Sequence, residues 1–259
     1  MSPDKELVPD RFGRSLEGYD GEASVQERLA RRLVMQIINH GGKRYDSALE
    51  IGCGTGLLSR ELARHLRIRK LVANDLVEEC GPRVLAVLQQ VPGVAFSFHP
   101  GDIERIDLPP ATFDLVASNA VFHWLDDPAG MLERLAVALR AGGLLAFTTF
   151  GPDNLREVAA VGSSGLRYRS IDEMTALVER RYRVLHCGES RETLCFSSPR
   201  RVLEHLRCTG ANSLERVGWT RGALQAFEGR YRERYGRGDE VTLTYHPLLL
   251  VAQRKDDDT

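Results

Sequence analysis

The segment Glu50-Ile51-Gly52-Cys53-Gly54-Thr55-Gly56 decides how this chain folds. It overlaps a short apolar run, Ala48-Leu49-Glu50-Ile51, and opens into a helical stretch at residues 57–66. Glycines at alternate positions let a chain reverse sharply after a strand and leave no Cβ between the backbone and a ligand, while the next helix offers unpaired N–H groups. Strand, glycine turn and helix in this order predict a small-molecule site at the turn, although tight turns also use glycine for steric reasons alone.

The alternation of strands and helices continues outward from this turn. Apolar runs predict strands at residues 70–76, 94–99, 113–121 and 144–150, and helical periodicity appears between them at residues 82–90 and 128–140. Such alternation requires right-handed crossovers and a mostly parallel sheet with helices on both faces. We therefore expect an α/β fold with a doubly wound, Rossmann-like sheet whose cofactor-binding core spans residues 45–150.

The flanks of this core follow different patterns. Ahead of it, a Ser24-x-x-Glu27 capping box and apolar residues at helical spacing predict a helix over residues 24–39. Behind it, we expect a capped helix beginning at Ser170 or Asp172, a strand near 184–187 with a hairpin into 194–196, helices at 199–207 and 221–234, and a last strand at 241–252. Pro247 cannot donate to a ladder, so that strand should lie at an edge or contain a bulge.

We interpret the chain as one domain over residues 1–259. Residues 1–40 would form an N-terminal lid and helix, and residues 151–259 would complete the sheet and carry a helical insertion, residues 197–236, that binds the acceptor. The 259 residues contain 35 Lys+Arg and 36 Asp+Glu, a net charge of −1, so no strong field would gather nucleic acid.

Composition excludes several other classes of protein. No apolar stretch approaches the roughly 18 residues that span a bilayer, and the first residues show no secretory signal. The cysteines are five in number, without a CxxC pair, which favours reduced thiols over a disulfide framework or a metal site. We expect a soluble cytoplasmic protein without a metal and without membrane contact.

Two acidic residues follow the next predicted strands. Asp75 ends the second strand about 20 residues after the glycine turn, where an acid can accept ribose hydroxyls, and Asp102 follows the third. Each has a structural alternative, because Asp75 could cap a helix and Asp102 could form a turn. Together with the glycine turn, the two acids resemble class I S-adenosylmethionine-dependent methyltransferases.

That resemblance implies a binding site for S-adenosylmethionine. Glu50, Gly52, Cys53, Gly54 and Gly56 would line its methionine part. Asp75 with Leu76 would contact the ribose and adenine, and Asp102 with Ile103 the adenine. Asn119 would lie near the sulfonium, although a polar residue at a strand end can also satisfy its own turn. The acceptor site is implied by other residues.

Segments outside the glycine turn resemble a narrower family, the malonyl-acyl-carrier-protein O-methyltransferases of biotin synthesis. They are Phe12-Gly13-Arg14-Ser15 with Tyr19, Gly101-Asp102-Ile103-Glu104, Ser118-Asn119 through Trp124, Phe147-Thr148-Thr149-Phe150, Leu206-Arg207-Cys208-Thr209-Gly210-Ala211 and Thr242-Leu243-Thr244-Tyr245-His246. The chain departs from the family at His123, where Gln is frequent, and at Arg207-Cys208-Thr209, where the family often has Lys-Gly-Ile.

The family reaction methylates the free carboxylate of a malonyl thioester carried by acyl carrier protein or coenzyme A. A carboxylate is ionised at pH 7, so no general base is needed, and catalysis consists mainly of positioning and the exclusion of water. The candidates for holding the carboxylate are Arg14, Tyr19, His123, Arg200, Arg201, Tyr245 and His246.

Each of these candidates has a structural alternative. Arg14 could belong to a solvated arm, Tyr245 could be a half-buried strand residue, and His246 a satisfied turn histidine. We favour Tyr19 among the N-terminal residues, since a flexible segment before a helix can close over a cofactor. Arg200, Arg201 and Arg207 would present a basic helix face to malonyl-loaded acyl carrier protein, unless they form an ordinary solvated face diluted by Glu204.

Two other functions fit the same core. One is a methyltransferase that acts on another small acid, a quinone precursor or a lipid. The other is an assembly factor of a respiratory complex that binds the cofactor without methyl transfer, or that hydroxylates protein. The fold does not distinguish them, because many functions share it.

Overall fold

The computed structural model describes residues 8–91, 93–162, 168–210 and 220–256. Residues 1–7 of the predicted lid, and Ala211 in the motif that follows the late helix, lie outside this part of the chain. The helices are α1 Val8–Ser15, α2 Tyr19–Glu22, α3 Ser24–Gly41, α4 Leu57–His65, α5 Cys80–Leu88, α6 Pro128–Ala138, α7 Arg156–Val161, α8 Ile171–Val178, α9 Pro199–Cys208 and α10 Arg221–Tyr235. The strands are β1 Arg44–Ile51, β2 Arg67–Asp75, β3 Ala95–Pro100, β4 Phe113–Asn119, β5 Leu139–Phe150, β6 Tyr182–Glu189, β7 Glu192–Phe196, β8 Gly236–Arg237, β9 Glu240–Tyr245 and β10 Pro247–Arg254.

The main sheet has the strand order β3-β2-β1-β4-β5-β10-β6. Strands β1 to β5 pair in parallel, and β10 runs antiparallel to both β5 and β6. The order of the strands reverses between β1 and β4, which makes this position the topological switch point of a doubly wound sheet. The predicted α/β class with a mostly parallel, Rossmann-like sheet is confirmed.

Helices cover both faces of the sheet, and a third cluster stands at one edge. The helices α3, α4 and α5 bury their apolar sides with Ala48 and Leu115 on one face, and α6 and α8 pack against Leu49 and Val116 on the other. The third cluster joins α7, α9, α10 and the small β7-β9-β8 sheet to Phe150, the last residue of β5. The C-terminal third of the chain is thereby built onto the carboxyl edge of the parallel strands.

The prediction of one last strand over residues 241–252 is wrong. The chain forms two strands there, β9 in the small sheet and β10 in the main sheet, and they meet at His246. Pro247 is the first residue of β10, a position where a missing N–H costs little. The strand itself lies between β5 and β6, so the edge position is wrong, whereas the alternative of a bulge agrees with the register shift between Val251 and Ala252 in its pairing with β6.

Two local predictions also fail. The strands β6 and β7 do not form a hairpin, because β6 pairs with β10 and β7 with β9. Ser24 does not cap α3: Ala23 holds the N-cap position without a side-chain bond, and the Glu27 carboxylate pairs with Arg31 at 2.7 Å. The short helix α2 ends just before α3, so the Ala23 carbonyl already accepts the Glu27 N–H. The capping box at Ser170, by contrast, is confirmed.

The interior position of β10 gives a stability prediction. Leu250 is fully buried on this strand, whereas Leu85 on α5 is 43% exposed. We expect Leu250→Ala to lower the free energy of unfolding by about 2 to 5 kcal/mol, because it opens a cavity in the core. The control Leu85→Ala should cost below about 1 kcal/mol. Urea denaturation measures both, and equal small losses would contradict a β10 strand buried within the sheet.

Candidate functional site

The predicted cofactor residues meet at the carboxyl edge of the parallel strands. The glycine turn follows β1, Asp75 ends β2, Asp102 comes two residues after β3, and Asn119 ends β4. Parallel strands present their carboxyl ends at the same edge, which is where open α/β sheets bind ligands. The structure therefore brings these residues together, while their individual roles toward a cofactor stay predictions.

The glycine turn is held open by its backbone conformation. Gly52, Gly54 and Gly56 have φ values of 67°, 51° and 91°, in the left-handed region that favours glycine. The N–H groups of Gly52 and Cys53 donate to the Asn74 carbonyl at 2.8 and 3.0 Å, which ties the turn to the end of β2. A side chain at Gly52 would also collide with Val121, so the turn follows a path that other residues cannot adopt without strain.

Asp75 faces the glycine turn from the end of β2. Its two carboxylate oxygens accept the Gly54 N–H at 2.8 Å and the Val77 N–H at 3.0 Å. Burial raises the pKa of Asp75, and these two N–H groups oppose the rise. The Cys80 thiol and the Leu76 N–H also bond to this carboxylate, so the protein itself engages most of its roughly four acceptor positions. Leu76, the next residue, is partly exposed beside it.

Glu50 is a fully buried acid with one unpaired oxygen. Ser59 on α4 donates to Oε2 at 2.6 Å, whereas Oε1 has no partner among the described residues. Burial raises the pKa of Glu50 to about 8, and the nearby charge of Asp75 contributes to this rise. The hydrogen bond from Ser59 opposes it. A cationic hydrogen-bond donor would satisfy this oxygen and compensate its charge.

Gln26 supplies a second unpaired acceptor near the same strand ends. Its side chain is 6% exposed and its Oε1 has no partner in the described part of the chain. Its backbone carbonyl accepts the Asn119 side-chain amide at 3.0 Å, which places it beside the end of β4. The Asn119 oxygen accepts the Thr148 hydroxyl at 2.7 Å, so Asn119 links α3 to β5. The side chain of Asn119 therefore does not satisfy its own turn, as the structural alternative expected, and its place near the sulfonium stays a prediction.

Asp102 forms the turn that its structural alternative anticipated. Its Oδ1 accepts the Glu104 N–H at 3.0 Å, and the side chain of Asn74 donates to the carbonyls of His99 and Gly101 at 2.9 and 2.8 Å. These bonds fix the loop after β3 against the end of β2. Ile103, 5% exposed, packs under this loop.

The N-terminal segment closes over the glycine turn. Asp20 on α2 accepts the Thr55 hydroxyl at 2.6 Å. The ring of Phe12 lies over Gly54, since a Cβ built there would be 3.4 Å from it, and it packs edge-on against Tyr19 at 5.0 Å. Burial raises the pKa of Tyr19, and the charges of Asp20 and Asp75 raise it further. Tyr19 therefore lies beside the acid at the end of β2.

A second group of side chains forms an aromatic cluster next to this site. The ring of His123 contacts Phe150 at 5.1 Å and Tyr168 at 6.0 Å, and Phe150 contacts Tyr245 at 5.6 Å. Burial lowers the pKa of His123 to about 3 and raises that of Tyr168 to about 12. Both rings nevertheless stay partly accessible. At neutral pH this cluster offers uncharged hydrogen-bonding groups.

Tyr245 is anchored from behind by a buried histidine. The Tyr245 hydroxyl lies 2.8 Å from Nε2 of His205 on α9, and Nδ1 of His205 lies 2.8 Å from the carboxylate of Glu22 on α2. Burial raises the pKa of Tyr245 and lowers that of His205, where Glu22 opposes the lowering. The hydrogen bonds from Glu22 to His205 and from His205 to Tyr245 connect the N-terminal segment to the aromatic cluster.

The structure does not bring three of the predicted clamp residues to this cluster. The Arg200 side chain is 70% exposed and pairs with Glu204 at 3.8 Å, and Arg14 is exposed. Arg201 bonds to the carboxylates of Glu22 and Glu204 at 3.0 and 2.7 Å, so it braces α2 against α9. Arg201 on α9, which the sequence predicted as a clamp for the substrate carboxylate, thus stabilises the fold instead.

His246 also serves a structural contact. Its Nδ1 accepts the Asp153 N–H at 3.1 Å, and its Nε2 lies 2.9 Å from the Glu189 carboxylate. The ring fills the space beside Gly151, where a Cβ would be 2.7 Å from it. The satisfied histidine that the sequence left as an alternative is what the structure contains.

Sequence reasoning missed Gln26, Glu22, His205 and Tyr168. Gln26, Glu22 and His205 lie on helices where a polar residue normally faces solvent, and nothing in their local pattern marks them as buried. Tyr168 precedes the capped helix as an isolated aromatic residue. Only the packing of the N-terminal and C-terminal segments on the carboxyl edge brings them to the site.

Comparisons with known proteins agree with this architecture. Residues 49–147 match the methyltransferase domain family. A malonyl-acyl-carrier-protein O-methyltransferase of Chlorobium luteolum is 40% identical over 255 residues, covering 98% of this chain and 97% of that protein. A protein of the same name from Bacteroides thetaiotaomicron is 34% identical, over 97% of this chain and 98% of that one.

The chain belongs to the malonyl-acyl-carrier-protein O-methyltransferase family.

Solved structures show the same fold at low sequence identity. A methyltransferase-like protein from Bacillus halodurans has a TM-score of 0.64 and 17% identity, covering 87% of this chain and 99% of that one. An N-methyltransferase from Bradyrhizobium japonicum, solved in complex with S-adenosyl-L-homocysteine, has a TM-score of 0.59 and 14% identity, covering 96% of this chain and 99% of that one. The chain is thus a methyltransferase of class I, as the glycine turn and the two acids predicted.

The residues present fit S-adenosylmethionine, the methyl donor of this class. Two buried acceptor oxygens, on Glu50 and Gln26, have no partner among the described residues. The methionine part of the donor carries an ammonium, which has three donors and no acceptor, and thus complements them. The glycine turn leaves backbone next to them that no Cβ covers. No described helix has the length and apolar character needed to cross a membrane.

The raised pKa of Glu50 predicts how stability depends on pH. An unfolded Glu titrates near 4.3, so the folded protein holds an extra proton between this value and its pKa of about 8. The contribution of Glu50 to the free energy of unfolding is fully present below about pH 4 and is lost as the pH rises towards and through about 8. We expect Glu50→Gln, which does not titrate, to gain stability relative to the wild type across this window, by at most about 1.4 kcal/mol per pH unit.

Urea denaturation at several pH values measures this difference in the protein without ligand. The exposed Glu179, replaced by Gln, is the matched control and should follow the wild type. Parallel curves for the wild type and Glu50→Gln would mean that Glu50 is ionised in the free protein.

Proposed function

We propose that this protein transfers a methyl group from S-adenosylmethionine to the free carboxylate of a malonyl thioester carried by acyl carrier protein. Full-length similarity to relatives of that name supports the acceptor. The observation that carries the proposal is the cluster of uncharged hydrogen-bonding side chains at the carboxyl edge, next to the glycine turn: Tyr19, His123, Tyr168 and Tyr245.

The donor supplies an electrophilic methyl group on a sulfonium. Glu50 and Gln26 would hold its ammonium, Asp75 its ribose, and the loop of Asp102 and Ile103 its adenine. Cys53 is a neutral thiol under these conditions, because burial raises its pKa, and it contributes its backbone to the turn. These residues bind and orient, and none of them needs to exchange a proton.

The acceptor carboxylate requires positioning rather than activation. It is ionised at neutral pH, so a general base would have nothing to remove. His123 cannot act as a cation there, since burial lowers its pKa to about 3, and its ring instead packs beside Phe150 in the aromatic cluster. The phenols of Tyr19, Tyr168 and Tyr245 are the donors available to the carboxylate.

The N-terminal segment would act as a lid within a single domain. Its contacts, Asp20 with Thr55 and Glu22 with His205, join it to both halves of the site. Closing a site in this manner excludes water from the reacting groups. The proposal includes a cytoplasmic location, which is supported by five unpaired cysteines of the kind that a reducing compartment maintains.

Mass spectrometry of malonyl-acyl-carrier-protein incubated with S-adenosylmethionine tests the function. We expect a gain of one methyl group on the malonyl unit, and no gain on acetyl-acyl-carrier-protein, which lacks the carboxylate. A site with donors placed for a carboxylate rejects an analogue that leaves them unpaired. An unmodified malonyl group, or methylation of the acetyl carrier, would contradict the proposal.

The carrier protein should dock on α9 through its remaining solvent-facing arginines. Arg201 is committed to Glu22 and Glu204, whereas Arg200 and Arg207 lie seven positions apart on one face of the helix and are exposed. We expect the double variant Arg200→Glu/Arg207→Glu to raise the KM for the malonyl carrier and flatten its salt dependence, because attraction to an acidic carrier is lost.

A matched double variant separates docking from total charge. Arg67→Glu/Arg69→Glu changes the net charge equally at two exposed positions of β2, at the amino end of the parallel strands. It should leave the KM for the carrier nearly unchanged. Malonyl-coenzyme A should be methylated equally by all three proteins. Equal losses on carrier and coenzyme A substrates would rule out docking by α9.

A further inference from the structure

Two hydrogen bonds join Glu22, His205 and Tyr245, which belong to three separate elements of the fold. Glu22 comes from α2, His205 from α9 and Tyr245 from the end of β9, and both hydrogen bonds of the imidazole measure 2.8 Å. The side chain of His205 is 2% exposed, so each of its nitrogens depends on these two partners. In a hydrogen-bonded series of this kind, a change in the protonation state of one member alters the hydrogen bonds of the others.

The protonation state of His205 decides the role of the Tyr245 hydroxyl. A carboxylate only accepts hydrogen bonds. Nδ1 of a neutral His205 must therefore carry the proton and donate it in the hydrogen bond to Glu22. Its Nε2 is then an acceptor and takes the Tyr245 O–H. Tyr245 has one proton, and with that proton engaged its oxygen can serve a further partner only as an acceptor. In this state it would repel an anionic ligand.

A charged His205 reverses this arrangement. Nε2 then carries a proton and donates to the Tyr245 oxygen, which frees the Tyr245 O–H. The hydroxyl of Thr209 lies next to that of Tyr245 and donates to the His205 carbonyl at 2.9 Å, so its oxygen can accept the freed proton. An ionised carboxylate is a stronger acceptor than a hydroxyl and would take its place.

Charge balance favours the charged state when an anion enters. Glu22 is already paired with Arg201 at 3.0 Å. The surrounding side chains contribute neutral groups: burial raises the pKa values of Tyr19, Tyr168 and Tyr245 and lowers that of His123. A bound carboxylate therefore adds a negative charge that none of these side chains compensates, and a protonated His205 would share its compensation with the sulfonium of the donor.

We propose that His205 is a positioning residue that turns the Tyr245 hydroxyl from a hydrogen-bond acceptor into a donor when the substrate carboxylate binds. The inference rests on the proposed function, since it requires an anionic acceptor. On binding, Nε2 of His205 takes one proton from solvent, its new N–H donates to the Tyr245 oxygen, and the Tyr245 O–H donates to the carboxylate. The ester product carries no charge, so His205 returns the proton to solvent.

The groups around His205 set the pH range of this exchange. Glu22 faces it from α2, Arg201 and Glu204 from its own helix, Tyr245 from β9, and the uncharged ring of Phe196 from β7 at 5.0 Å. In the free protein burial lowers the pKa of His205. The charge of Arg201 lowers this pKa further, whereas Glu22 raises it. The imidazole is therefore neutral before the carboxylate arrives, and binding takes up a proton near neutral pH.

Nuclear magnetic resonance of the ¹⁵N-labelled imidazoles tests the exchange in the wild-type protein. The free protein should show His205 as a neutral imidazole protonated on Nδ1. Malonyl-coenzyme A together with S-adenosylhomocysteine, which has no methyl group to transfer, should convert it to the imidazolium. Acetyl-coenzyme A with S-adenosylhomocysteine should leave it neutral. A neutral His205 in the malonyl complex would overturn the proposal.

Variants give an independent kinetic readout. His205→Gln keeps a hydrogen-bonding amide for Tyr245 but cannot take up a proton, and Tyr245→Phe removes the hydroxyl. Both should raise the KM for the malonyl substrate about ten- to a hundredfold, with a smaller effect on kcat, because a bond to a charged oxygen is lost. In the wild type the KM should rise with pH between about 6 and 8, and this rise should be absent in His205→Gln.

His186→Gln on β6 is the matched control, a histidine substitution away from the aromatic cluster, and should retain the wild-type pH dependence. A pH-dependent KM that survives in His205→Gln would overturn the proposal. Turnover by the wild type with a neutral His205 would overturn the switch alone. Failure of the wild type to methylate any malonyl thioester would overturn the proposed function, and the switch with it.

Discussion

Parallel pairing of β1 on both of its sides is the constraint on which the site depends. The strand pairs with β2 on one side and β4 on the other, so the carboxyl ends of all three lie together and the order of the strands reverses beside it. Helices that return from these strands must leave on opposite faces, which opens a crevice at the edge. The glycine turn, Asp75 and Asn119 stand around this crevice because each of them follows or ends one of the three strands.

The crevice is completed by chain that lies outside the parallel sheet. Helix α2 fastens onto the glycine turn through Asp20 and onto α9 through Glu22. The small β7-β9-β8 sheet carries Tyr245, and β10 enters the main sheet between β5 and β6 to anchor this addition. In the proposed function the shared core binds the donor and the added segments meet the acceptor, which agrees with functions being set by sites rather than by folds.

Burial gives the site its electrostatic character. Glu50 and Asp75 are buried acids whose pKa values are raised, and the phenols and His123 are held neutral by the same effect. Such a site contains few charged groups until a cationic donor and an anionic acceptor bind in it together. Opposite charges placed side by side in a low dielectric compensate each other more strongly than they would in water. Methyl transfer between them removes both charges, which favours release.

The sequence by itself determined the sheet, the glycine turn and the acids after β2 and β3, because strand periodicity and glycine spacing are local and the carboxyl edge follows from parallel pairing. It did not determine the split at His246, the interior place of β10, the structural ion pairs of Arg201, or the structural hydrogen bonds of His246. Those outcomes depend on contacts between residues far apart in the chain. His205 shows the reason most clearly: its local pattern is that of a helix residue, and only the packing of α2 and β9 against α9 gives its two nitrogens their partners.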